Sequence, residues 1–283
     1  MKLTDLSAIA RSIDPRYPTN VAIFLLALAV GAGGTLAQWL AGGTWLDSLL
    51  WGAGAGFSVA IAWALGRELD PDHDLSAFLG AGLALLGLFF FELPGLLGLV
   101  WAMLLLRVVN RTGGLPARVT DSLALLGLGS WMAWQGSWAL GIWTALAFAL
   151  DAWLPPPERR QLPFAGFALL AAFVSLALGS GLPAEEPGPW PLWAAALGTS
   201  ALFLLLVVRS RTVQSVGDAT GELLHPRRVQ AAQGLGLLVG LQAVWWGGVE
   251  GLAAWHPLWA ALLGVALYAW ACLIGRMLRI RNR

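Results

Sequence analysis

Residues 21–40 read VAIFLLALAVGAGGTLAQWL, and residues 46–65, just past the Gly42-Gly43 turn, read LDSLLWGAGAGFSVAIAWAL. The first stretch holds no charged residue and the second only Asp47. A helix needs about 20 apolar residues to cross the hydrocarbon core of a bilayer, where each backbone N–H and C=O must be paired within the segment. Both stretches have that length. The connection between them is too short for a folded domain, so the pair reads as a hairpin that leaves one face of a membrane and returns to it.

The same pattern extends along the chain. Apolar runs bounded by charge, Gly or Pro occupy residues 21–40, 46–65, 75–91, 95–109, 119–134, 138–153, 164–182, 192–208, 229–246 and 258–275. These ten runs group into hairpins at 21–65, 75–109, 119–153, 164–208 and 229–275, a single transmembrane domain preceded by a segment at 1–20. The expected fold is an all-α polytopic membrane protein of about ten transmembrane helices in five hairpins. Several runs are short. At about 1.5 Å per residue, sixteen residues span less than a hydrocarbon core of about 30 Å, so these helices need local thinning or burial among neighbours.

Composition agrees. Of 283 residues, 58% are hydrophobic and 12% charged, against about 25% charged in soluble domains. With 17 basic and 16 acidic residues the net charge is +1, which supplies no concentrated basic surface for a nucleic acid. The single cysteine, Cys272, excludes an intrachain disulfide.

Basic residues orient the layout, because Lys and Arg collect in cytoplasmic loops. In the ten-helix register all 17 fall on one side: Lys2, Arg11, Arg16, Arg67, Arg107, Arg111, Arg118, Arg159, Arg160, Arg209, Arg211, Arg227, Arg228 and the four after residue 275. The opposite loops carry Asp47, Glu92, Glu185, Glu186 and Glu250 and no base. An inner-membrane protein with both termini cytoplasmic is expected. The first twenty residues lack the long apolar core and cleavage site of a signal peptide. Leu3, Leu6, Ile9, Ala10 and Ile13 share one helical face, which suits a short interfacial helix ended by Pro15.

An internal repeat runs through the odd hairpins. Pro18-Thr19-Asn20-Val21, Pro116-Ala117-Arg118-Val119 and Pro226-Arg227-Arg228-Val229 each open a helix as P-x-[RN]-V, a place where the missing Pro N–H does no harm. The returning helices carry Ala62-Trp63, Ala152-Trp153 and Ala269-Trp270 at their inner ends. A whole hairpin as the unit gives parallel copies related about the membrane normal. The 17 tryptophans gather near helix ends, as an aromatic belt does at the headgroup level.

Candidate chemistry is sparse. Asp70, Asp72, His73 and Asp74 form the densest polar cluster, at the cytoplasmic start of the third helix. Three carboxylates and an imidazole suit a hard cation such as Mg2+, and they equally suit capping of a helix N-terminus. The cytoplasmic Arg111, Arg118, Arg211 and Arg228 suit a fork for a lipid phosphate, since guanidinium grips phosphate oxygens in pairs, or serve as topological charges only. Within the spans, Gln38, Gln135, Gln233 and Gln242 are interior polar groups, and Asp151 lies near the inner end of the sixth helix within reach of water or Arg159. No Ser-His-Asp set, HExxH or CxxC pattern occurs. No cofactor is demanded, Mg2+ being the one metal the acidic cluster would accept.

The implied partners are the bilayer and an amphipathic or lipid ligand, with no nucleic acid; oligomeric state is left open. Scarcity of buried carboxylates argues against an ion-coupled pump. The leading expectation is binding or passage of a small apolar or amphipathic molecule. A membrane enzyme acting on a lipid-linked phosphate is the second, and a structural subunit of a membrane assembly the third.

Overall fold

The computed structural model describes residues 7–10, 14–179 and 188–281. Among them are ten helices: α1 Pro18–Leu40, α2 Trp45–Leu69, α3 Asp74–Gly87, α4 Leu96–Asn110, α5 Val119–Gln135, α6 Trp138–Trp153, α7 Gln161–Ala177, α8 Trp190–Arg209, α9 Pro226–Ala254 and α10 His256–Arg281. The described residues contain no strand, and one isolated antiparallel bridge joins Val216 to Leu223. Each helix coincides with one apolar run of the sequence. Five are long and apolar enough to cross a membrane: α1, α2, α8, α9 and residues 256–278 of α10.

Local chemistry explains several boundaries. Thr44 caps α2 by accepting from the Asp47 amide, and Ser137 caps α6 by accepting from the Ala139 amide. Pro opens α1 and α9 in their first turns. The run at 75–91 yields a shorter helix, because α3 stops at Gly87 and residues 88–91 turn ahead of Pro94. Conversely α9 exceeds its apolar run and kinks at Gly248, whose φ of 52° is open to glycine. In the N-terminal segment Ser7 to Ala10 are non-helical, and the rest of the amphipathic helix expected there lies outside the described residues. So do the outer-loop acids Glu185 and Glu186.

The chain forms two compact units. The first comprises residues 1–12, 100–188 and 210–248, and so contains most of α4, all of α5, α6 and α7, and α9 up to its kink. Its core is built on Trp101, Leu105, Leu125, Phe148 and Leu235, all buried. Polar side chains stitch the helices together: Trp101 donates to Thr144 Oγ1 at 3.0 Å, Trp143 to Gln242 Oε1 at 3.3 Å, and Ser122 to Gln161 Oε1 at 3.0 Å. Between apolar helices in lipid such bonds replace the hydrophobic drive that water would provide.

The second unit comprises residues 13–99, 189–209 and 249–283, that is α1, α2, α3, α8 and α10. Its helices approach through small residues. A Cβ on Gly52 would collide with Gly31 O and Thr35 of α1, and one on Gly264 with the Gly80 backbone of α3. Close backbone approach of this kind is how helices associate in membranes. The outward faces are apolar: Phe24, Leu25, Leu28, Trp39 and Leu40 of α1 are exposed, as are Phe167, Leu170 and Phe173 of α7 in the first unit. Continuous apolar surface of this extent belongs against lipid rather than water. Five helices long and apolar enough to cross a membrane, together with this surface, are what an integral membrane protein requires.

Candidate functional site

The first unit gathers its charge at one end. Arg228 sits in the first turn of α9 and its amide donates to His225 O. Its side chain runs across to the C-terminal ends of two other helices, where the last carbonyls have no partner within the helix. Nη1 donates to Val109 O of α4 at 3.0 Å, and Nη2 to Asp151 O of α6 at 3.2 Å. Past the end of α6 the guanidinium also reaches Leu154 O and Pro156 O at 2.7 Å each and Pro155 O at 2.9 Å. A cation at two helix C-termini also meets the negative ends of their dipoles. Arg228 is therefore a clamp whose three nitrogens are all engaged.

Asp151, in the last turn of α6, has a side chain of 0% relative exposure. A single oxygen, Oδ1, accepts from both Arg228 Nη1 at 2.7 Å and Arg111 Nε at 2.8 Å. Arg111 follows α4 directly, and its φ of 53° places a non-glycine residue in the left-handed region. That conformation costs roughly 1–2 kcal/mol and persists where surrounding contacts impose it. Its side chain is only 9% exposed, it meets Asp151 through Nε, and its buried Nη2 has no hydrogen-bond partner. Asp151 Oδ2 is likewise buried without a partner. Two guanidiniums share one carboxylate, which leaves a local charge of plus one in a nearly dry setting.

Neighbouring segments fix the backbone around Arg111. The Asp218 amide donates to Thr112 O at 3.2 Å and the Ala219 amide to Gly113 O at 3.0 Å, which docks the 210–225 loop on residues 112–114. Gly217 lies so close to Gly114 that a Cβ would strike the Gly114 backbone. From the N-terminal segment, the Ala8 amide donates to Asp121 Oδ2 at 2.8 Å, and Arg107 Nη1 to Ile9 O at 3.2 Å. Glu158 forms a two-pronged pair with Arg160, at 2.8 Å for each bond, which holds its carboxyl below the usual carboxylate range.

The structure joins only part of the four-arginine fork expected from the sequence. Arg111 and Arg228 meet on Asp151, while Arg118 and Arg211 are exposed. The Arg118 amide donates to Asp121 Oδ2 at 2.9 Å as α5 opens. Asp151 takes Arg111 and Arg228 instead of Arg159, which is exposed. Of the glutamines, Gln242 and Gln233 are buried and bonded, Gln38 is half-buried, and Gln135 is exposed. Gln161, buried on Ser122, and Thr144, buried on Trp101, were not distinguished by sequence; for Thr144 a polar residue inside an apolar run was the available signal, and Gln161 lies outside the runs.

The acidic cluster lies in the second unit. Asp70 is buried at the C-cap of α2, and its two carboxylate oxygens lie 3.0 and 3.2 Å from His73 Nδ1. His73 is the N-cap residue of α3, and the hydrogen bond to Asp70 pushes its pKa up, helped by the charges of Asp70 and Asp72. Asp74, in the first turn of α3, pairs with Arg67 from the last turn of α2. Among the described residues no group of three or more His, Cys, Asp or Glu side chains is disposed to hold a metal ion. What the cluster does is join the end of one helix to the start of the next.

Compared with known protein families, characterised proteins and solved structures, the chain finds no match. A functional reading therefore rests on the site and its chemistry.

Proposed function

We propose that this chain is an inner-membrane protein of ten crossings, with both termini in the cytoplasm, that binds a small amphipathic molecule by its anionic head at Arg111. One observation carries the reading: Arg111 is nine-tenths buried yet spends only Nε on the protein, leaving Nη2 without an acceptor. A buried donor without a partner costs about 1–3 kcal/mol, more when charged, and an oxyanion in that position would remove the penalty.

The rest of the arrangement supports it. Arg228 and Asp151 fix the Arg111 guanidinium in place, as a binding group must be fixed. The site stands where the apolar helices α4 and α6 end and α9 begins, so an amphiphile with its tail along the helices would present its head there. The shorter helices α3, α4, α5, α6 and α7 count as crossings because the arginine pattern needs an even number of passes. The P-x-[RN]-V openings support a parallel repeat of the odd hairpins. The rival metal-dependent enzyme on a lipid-linked phosphate draws less support, since Asp70 and Asp74 are occupied by His73 and Arg67.

Thermal unfolding in zwitterionic detergent, with an anionic or a zwitterionic lipid added, tests the reading. The anionic lipid is expected to raise the melting temperature of the natural protein and to do so less for Arg111→Gln. Equal shifts in both proteins would reject it.

A further inference from the structure

We infer that the seat at Arg111 takes a singly charged phosphodiester, the head of a glycerophospholipid, and discriminates against phosphate monoesters and diphosphates. This rests on the reading of Arg111 as an anion seat and adds its charge class.

The charge class follows from counting. Arg228 cannot turn toward a ligand, because that would abandon the carbonyls of Val109, Asp151, Leu154, Pro155 and Pro156. Asp151 cancels one of the two guanidinium charges. Glu158 and Arg160 form their own pair and cancel. What remains is one guanidinium with one uncompensated charge. A guanidinium edge offers two parallel N–H groups, which match two non-bridging oxygens of a phosphate. A phosphodiester carries one negative charge over those two oxygens.

A second negative charge finds no second buried cation free to turn to it, because Arg228 is held by five carbonyls and Arg118 and Arg211 are exposed. It also meets a like charge, since the Asp151 carboxylate is 0% exposed and its Oδ2 has no donor to quiet it. In such a setting an unpaired charge is disfavoured far more than in water. The site therefore selects by charge number. The phosphodiester has two sources, a membrane lipid or a soluble diester, and the placement of Arg111 at the end of apolar helices selects the lipid.

The test is native mass spectrometry of the full chain released from detergent, with three probes: phosphatidylglycerol, phosphatidic acid at about pH 8.5, where a monoester is doubly charged, and farnesyl diphosphate. Diethyl phosphate serves as the soluble diester. Phosphatidylglycerol is expected to bind at least about tenfold more tightly than the other probes, and Arg111→Gln to remove that advantage. Arg111→Lys keeps the charge but not the two-pronged edge, so it should fold and bind every probe more weakly while keeping the order among them. Arg118→Gln should bind as the natural protein does. Arg111-dependent binding that favours phosphatidic acid or farnesyl diphosphate would overturn the charge class and leave the anion seat standing. Equal binding of diethyl phosphate would overturn the lipid assignment. Loss of Arg111 dependence for every probe would overturn the seat itself.

Discussion

Asp151→Asn probes the centre of the first unit. The natural carboxylate is buried completely and accepts from Arg111 at 2.8 Å and Arg228 at 2.7 Å. Asparagine preserves the shape and one acceptor oxygen but removes the negative charge that both guanidiniums contact. Breaking a buried pair by removing one partner costs about 3–5 kcal/mol, because the surviving charge stays desolvated. For a chain of this size that lowers the melting temperature by on the order of 10 °C. Arg111→Gln removes one charged bond together with one unpartnered buried donor, so its cost falls nearer about 1–2 kcal/mol. The double variant should be less damaged than the sum of the two, since the second change removes part of the charge that the first left exposed to its own kind. Thermal unfolding in detergent, at one lipid content throughout, measures all three. A loss below about 1 kcal/mol for Asp151→Asn, or strictly additive behaviour of the pair, would refute the view that this carboxylate neutralises a buried cation cluster.

Other consequences are equally direct. Reporter fusions after Arg283 and within residues 183–191 should report opposite sides of the membrane, and a shared side would reject the ten-crossing layout. Gly217→Val should strike the Gly114 backbone and loosen the docked loops, seen as faster amide exchange over residues 111–114 and 217–221; unchanged exchange would reject that close approach. His73 has a raised pKa through its bond to Asp70. Its contribution to stability is therefore full below the ordinary value of 6.5 and fades as pH climbs through the raised one. The melting-temperature difference between the natural protein and His73→Gln should shrink as pH rises from below 6.5 through the raised value; a constant difference would remove the His73–Asp70 pair as its source.

Much of the helical layout was legible because it depends on local quantities. Residues 21–40 are long, uncharged and apolar, which sets α1 whatever lies elsewhere in the chain. Boundaries slipped where the apolar run ended against backbone chemistry instead of charge. Residues 88–91 are apolar yet turn before Pro94, and α9 passes well beyond its run until Gly248 bends it. The candidate site was legible only in its residue types. Arg111 and Arg228 were drawn from a set of four on sequence grounds, and nothing in P-x-[RN]-V separates Arg228, which clamps two helix ends, from Arg118, which lies exposed.

The sequence by itself determined the helices and their apolar character, because hydrocarbon thickness and backbone satisfaction act on each segment independently of its neighbours. The tertiary structure alone decided which charges meet. Arg111 and Asp151 are 40 positions apart and Arg228 and Asp151 are 77 apart, and no periodicity in the chain encodes those separations. They are set where the ends of α4 and α6 and the start of α9 come together, so that one carboxylate must serve two guanidiniums and one nitrogen is left over.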